Sequence, residues 1–493
     1  MHVLAIVYLV IALFLFLIFV LFAKTFMGLW LTEVGLWIVW LPLSLLVSGV
    51  IVILRFEVLA SDKLNFVFIL ISILLNLYTS IHVLVPFFEI KKTNFYLEQA
   101  MKFGLGDDYL DFVDPIVNAK YFKTVKFRFL HYLIGARPRK LLEKVARVKD
   151  ITFFKDETID LKLNVYYPKR EGVFPTIVFI HGGAFILGSK DRPKHEKLCM
   201  MLANYGYTVF SLDYRLTPLE FLSKKKSLKD ELLFAAMLSD VHHGVVFAKK
   251  HAHEYKGNAN ELFLFGRSAG GHLALLTTFS CMGKFFEFNE QIGKLEEYKI
   301  SGVIAFYPPT NFSTLYNCYG KKNLMKFLME RGMGGSPDEV QYLYRFFSPV
   351  NYVTSKNSQF IPPVFLAVGA KDRLVAPGQS EELYAQLRKF NIPSVLLTLP
   401  WANHGFDAIL NGPGGQLVIK YLTQFLVWVL TKEKYRRLDS LAHKHGLDDL
   451  THQEKIDILC NLDALKDKSS NKEKYNQFLI DCFRERIKKE QQE

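Results

Sequence analysis

The chain has 493 residues, half of them hydrophobic and 22% charged, with a formal net charge of +13. That length and apolar fraction exclude a disordered or low-complexity protein and leave room for more than one folded region. Five scattered cysteines, without paired spacing, exclude a disulfide framework and fit a reducing compartment.

In chain order, three apolar, uncharged runs come first, at about residues 3–23, 34–54 and 64–88. Each is long enough to cross about 30 Å of hydrocarbon as a helix. The first is too long for a secretory signal and lacks a small-residue cleavage site. We therefore expect residues 1–92 to hold three transmembrane helices, with Asn76 and His82 hydrogen-bonding between helices. Residues 93–150 read as a basic linker or cap segment. Lys120 to Asp150 carries ten Lys or Arg against Glu143 and Asp150, interleaved with Tyr121, Phe122, Phe127, Phe129 and Tyr132. This pattern reads as an amphipathic helix on anionic lipid headgroups, the alternative being a solvated helix that packs its aromatics on the next domain. The positive charge after the last span places the remainder of a multi-pass protein on the cytoplasmic side. No nucleic-acid partner is expected, because no reading module accompanies the charge.

Residues 151–432 carry the chemistry. The apolar strand Thr176–Ile180 runs into His181-Gly182-Gly183-Ala184-Phe185, a glycine turn whose N–H groups can point at a developing oxyanion. A second apolar run, Glu261 to Leu264, leads through Phe265-Gly266-Arg267 to Ser268 and then Ala269-Gly270-Gly271, which reads as strand, sharp turn and helix. Ser268 is the candidate nucleophile, and the N–H groups of Gly182, Gly183 and Ala269 are the candidate oxyanion donors. A serine needs a base, and the base needs a third group to fix its tautomer. Asp372 follows the strand Pro363–Val368, and His404 follows the strand Ser394–Leu399. The order Ser268, Asp372, His404 is the one an α/β-hydrolase sheet requires. The long connection from Asn311 to Phe347 suits a cap over the site. His242, His243, His251 and His253 lack an Asp or Cys to complete a metal site and read as a solvated helix face.

Together, His181-Gly182-Gly183-Ala184-Phe185, Asp213-Tyr214-Arg215-Leu216, Gly266-Arg267-Ser268-Ala269-Gly270-Gly271-His272 and Asn403-His404-Gly405-Phe406 resemble the hormone-sensitive-lipase-like and acetylxylan-esterase-like α/β-hydrolases of fold-3 type. Ser348–Val353 and Gly369–Val375 extend the similarity. Arg267 and Ala184 stand where lipase-like members usually carry an acidic residue and a third glycine. The resemblance implies an α/β fold with a doubly wound, mostly parallel sheet over about residues 151–432, which the expected transmembrane helices precede. It also implies a serine carboxylic ester hydrolase with no metal and no organic cofactor, acting through an acyl-enzyme; the expected membrane anchor adds lipid or small hydrophobic esters as the substrates. A deacetylase of glycan or sterol acetyl esters and a non-catalytic membrane scaffold are the alternatives. Residues 433–493 form a charged helical extension, a surface for a protein partner.

Overall fold

The computed structural model describes residues 2–21, 39–55, 63–117, 143–157, 159–217, 233–281, 299–318 and 324–444, with isolated positions between 450 and 458. The expected basic helix over 120–142 and the tail beyond 458 lie outside the described residues.

An eight-stranded sheet is the centre of the molecule. Its strands are β1 (Val145–Lys155), β2 (Asp160–Pro168), β3 (Phe174–Ile180), β4 (Thr208–Leu212), β5 (Gly257–Arg267), β6 (Ile300–Phe306), β7 (Val364–Gly369) and β8 (Ser394–Leu399). The spatial order is β1-β2-β4-β3-β5-β6-β7-β8. The β1–β2 and β2–β4 pairings are antiparallel, and every pairing from β4 to β8 is parallel. All seven residues of β3 and of β6 are buried, as a parallel strand covered on both faces requires. Successive residues serve opposite faces: Ile177, Phe263 and Phe365 belong to one core, Val178, Leu264 and Leu366 to the other.

Among the described residues, twelve α-helices flank the sheet or precede it. They are α1 (His2–Phe16, extended by a π turn over Leu17–Leu21), α2 (Trp40–Arg55), α3 (Lys63–Leu105), α4 (Tyr109–Val117), α5 (Pro193–Tyr205), α6 (Leu233–His251), α7 (Ala269–Cys281), α8 (Phe312–Cys318), α9 (Leu324–Met333), α10 (Gln341–Phe346), α11 (Gly378–Lys389) and α12 (Pro413–Lys444). The first core includes Leu97 and Met101 of α3, Leu198 of α5 and Phe425 of α12. The second includes Met237 of α6, Leu273 of α7 and Leu383 of α11.

Several expected boundaries differ. Two helical stretches, residues 2–20 and 63–105, are long and apolar enough to cross a membrane, whereas α2 has 16 residues and is shorter. The third apolar run does not end at a linker. It continues without a break past Pro86 to Leu105, where Leu97, Met101 and Leu105 are buried against the sheet domain. The residues at 93–117 are therefore part of the α/β core. The sheet also begins at Val145, before 151, so Arg147 and Lys149 lie on an edge strand instead of a helix; charge on such an edge discourages pairing with other chains. Asn76 does not reach a neighbouring helix with its amide nitrogen, which donates to the Ser72 carbonyl of its own helix at 2.9 Å.

Candidate active site

Strand β5 delivers its last residue, Arg267, directly to Ser268, whose φ of +53° places a non-glycine residue in the left-handed region. Such a conformation is costly and persists only where the surroundings hold it. Here the Ser268 N–H donates to the Phe306 carbonyl at the end of β6 at 2.9 Å, and the Ser268 carbonyl accepts from His272 N–H at 2.9 Å, the first turn of α7. The turn throws the Ser268 hydroxyl clear of both elements.

Asp372 sits just past β7 and His404 just past β8, so the parallel sheet brings residues separated by 136 and 32 positions to one edge. His404 Nε2 is 2.9 Å from Ser268 Oγ, and His404 Nδ1 is 2.8 Å from Asp372 Oδ2. A carboxylate can only accept, so Nδ1 carries the proton and donates, leaving Nε2 to accept from the hydroxyl. Asp372 is itself fixed: its Oδ1 accepts the N–H groups of Leu374 and Val375 at 2.9 and 2.8 Å. Asn403 Oδ1 accepts from His404 N–H at 2.8 Å and Arg373 N–H at 3.2 Å, tying the two loops together. Asp372 and His404 are both buried, at 5% and 7% exposure, so water does not dilute their interaction.

The turn after β3 comes alongside. A Cβ on Gly182 would lie 2.5 Å from the Arg267 carbonyl and 3.2 Å from Ser268 Cβ, so only glycine allows the two loops this approach. Gly183 has φ +149° and its missing side chain would strike the Leu187 carbonyl. Among the described residues neither N–H donates to a backbone carbonyl. Ala269 opens α7, where the first N–H groups of a helix have no intrahelical acceptor. The candidate nucleophile, acid, base and oxyanion donors are thus brought to one place. Asp213 and Arg215 are not part of it. Asp213 caps the Lys190 N–H at 2.7 Å, and Arg215 forms a two-pronged pair with buried Asp240 at 2.7 Å on both prongs.

Two further residues at the site are not legible in the sequence. The Tyr307 ring lies 4.4 Å from the His404 ring, and its hydroxyl donates to Asp407 Oδ1 at 2.5 Å. Asp407 in turn pairs with Arg267, and all three are buried. Burial, reinforced by the Asp407 charge, pushes the Tyr307 phenol well above its ordinary pKa, so it remains a donor.

In front of Ser268 lies a cleft that opens to solvent. Its lining is apolar: Phe185 and Phe234 on one side, Phe312 and Leu315 of α8, and Leu328 and Met329 of α9. Helices α8 and α9 belong to the connection expected to cap the site. Among the described residues no three His, Cys, Asp or Glu side chains converge as a metal site.

Residues 163–387 match the BD-FAE family model, from β2 through α11. The chain is 27% identical to the probable carboxylic ester hydrolase LipM of Mycobacterium tuberculosis over 52% of its length and 55% of that protein. It is 26% identical to the isoprenylcysteine alpha-carbonyl methylesterase ICME of Arabidopsis thaliana, over 51% and 55%. It thus spans little more than half the length of these relatives. Among solved structures, inhibited esterase B from Lactobacillus rhamnosis is 19% identical with a TM-score of 0.47, covering 64% of this chain and 94% of that one.

Proposed function

We propose, from the premise that the chain belongs to the α/β-hydrolase superfamily, that it is a membrane-anchored serine esterase acting on hydrophobic carboxylic esters. The observation that carries this reading is the chain of hydrogen bonds from Ser268 through His404 to Asp372, set at the mouth of an apolar cleft.

In this mechanism Ser268 Oγ attacks the ester carbonyl as His404 Nε2 takes its proton. Asp372 stabilises the imidazolium and holds its orientation. The carbonyl oxygen, now negative, is held by the N–H groups of Gly182, Gly183 and Ala269, which need no reorganisation as the charge develops. His404 then returns the proton to the leaving alcohol, and the acyl group remains on Ser268. A water molecule, deprotonated by His404, attacks the acyl-enzyme and releases the acid.

The substrate reading is supported by the cleft. Its aromatic and aliphatic lining would solvate an acyl chain well beyond an acetyl group, which favours hydrophobic acyl esters over acetyl esters. Anchoring is supported by the two long apolar helical stretches, and the cytoplasmic placement of the domain by the Lys and Arg residues that follow them.

Labelling of the detergent-solubilised full-length protein with a fluorophosphonate tests the reading. Wild type is expected to label, Ser268→Ala not at all, and His404→Ala at a rate reduced by about 10⁴-fold or more. A folded wild type that resists labelling would remove the esterase reading and favour a scaffold that keeps only the fold.

A further inference from the structure

We infer that the mouth of the active site faces the bilayer, so that the substrate is an amphiphilic ester taken directly from the lipid surface. This rests on the reading of α1 and α3 as membrane-spanning helices.

Helix α3 fixes the direction. It is one helix from Lys63 to Leu105, apolar up to Phe88, with Leu74, Leu77, Ile81 and Phe88 exposed. Beyond Phe88 it is fastened to the α/β domain at two levels. At the lower level, the Gly104 carbonyl accepts from Arg388 Nη1 at 3.4 Å near the end of α11, and Gly104 backs onto Ser394, the first residue of β8. At the upper level, Asn94 accepts from Tyr421 Oη and Lys420 Nζ at 3.0 Å, near the start of α12. That helix begins at Pro413, shortly after His404.

Walking from Gly104 back to Asn94 therefore climbs from the N-terminal end of the strands to the end that carries Ser268, Asp372 and His404. Continuing the same way leads into the apolar span. The catalytic edge of the sheet and the span lie on the same side.

The dimensions bring the two close. From Ser394 to Leu399 β8 climbs about 17 Å, the rise of about 11 helical residues, which puts the strand end level with Thr93. Thr93 lies roughly 8 Å along the helix from Phe88, close to the depth of one headgroup layer. Lys91 and Lys92, both exposed, fall in that layer.

The rim of the cleft carries the surface this placement calls for. Leu187, beside cleft-lining Ile186, is 53% exposed, and Phe327, beside cleft-lining Leu328, is 41% exposed. An ester whose carbonyl sits at headgroup depth, with its acyl chain in the hydrocarbon, could then pass between these groups into the apolar cleft without crossing water.

A benzoylphenylalanine photoprobe replacing Phe327, Val173 or Leu74 in turn, in full-length protein reconstituted in phosphatidylcholine nanodiscs, tests the placement. Val173 precedes β3 at the opposite end of the strands and is 72% exposed. Each variant must label with fluorophosphonate as the unmodified protein does, which certifies its fold. Phospholipid adducts are expected at 74 and 327 and not at 173. Adducts at 74 without 327, or at 74 and 173 alone, overturn the orientation while leaving the esterase and the anchor standing. No adduct at 74 removes the membrane reading on which the orientation rests.

Discussion

Arg267, the residue before Ser268, forms a buried ion pair with Asp407, three residues beyond His404. The pair joins the nucleophile turn to the histidine loop, and Tyr307 extends it to the His404 ring. Arg267 and Asp407 thus place opposite charges on the two loops that carry Ser268 and His404.

Removing one partner should cost more than removing both. Asp407→Leu leaves the Arg267 guanidinium buried without a counter-charge, for which about 3–5 kcal/mol of destabilisation is expected. The double variant Arg267→Leu, Asp407→Leu should recover much of that loss, since no isolated charge remains. Thermal unfolding of the four proteins of this cycle checks it. Equal losses in the single and double variants would mean the pair contributes by shape alone.

Turnover should depend on the glycine turn without a matching loss of fold. Gly182→Ala puts a methyl group against the Arg267 carbonyl and beside Ser268 Cβ, so the two loops must part. Displacing an oxyanion donor is expected to lower kcat by about 10²–10³-fold. Steady-state rates normalised to fluorophosphonate-titrated sites measure this, and an unchanged kcat would take Gly182 out of the oxyanion hole.

Acyl-chain preference should be set by the wall that α9 contributes. Gly332 faces Phe234, and a side chain there would press on that ring, itself part of the cleft lining. Gly332→Val is expected to lower kcat/KM for long-chain esters about tenfold or more relative to short ones, since one methylene is worth about 1–3 kcal/mol in an apolar pocket. Adding Phe234→Ala should restore the long-chain activity. A chain-length series of p-nitrophenyl esters reads the change.

Acid should weaken the fold before it protonates the carboxylates. Burial lowers the pKa of His272 and of His242 to about 4, and burial with Arg267 nearby lowers that of His195 to about 2. Each is neutral in the folded chain while the unfolded chain protonates it near its ordinary value of 6.5. The unfolded state then binds more protons, so the stability present above pH 6.5 is lost as pH falls toward 4. For His272 the loss is at most about 3 kcal/mol, from about 1.4 kcal/mol per pKa unit. Melting temperatures across that range should fall, and His272→Phe should flatten the slope. A slope unchanged by that substitution would exclude His272 as a contributor.

What was legible in the sequence is local. Ser268, Asp372, His404 and the glycine turn each lie where an apolar strand runs into a short loop, and the strand-by-strand order places them at one sheet edge. The Arg267–Asp407 pair spans 140 positions and has no periodic signature, so neither residue signals the other. The reach of α3 is hidden differently. Lys91 and Lys92 look like the end of a span, and they mask the four-residue spacing of Leu97, Met101 and Leu105 that buries one helix face. The charge between 120 and 150 reads as one helix, yet its last part alternates along the edge strand β1.

On the proposed reading of α3 as a span, the same unbroken helix also serves the core, and the α/β domain has no neck. A cut within α3 would break an unbroken helix, and a fragment starting at residue 151 would leave behind Leu97, Met101 and Tyr109 along with half of β1. On that reading, release by such a cut and loss of the fold would be one event.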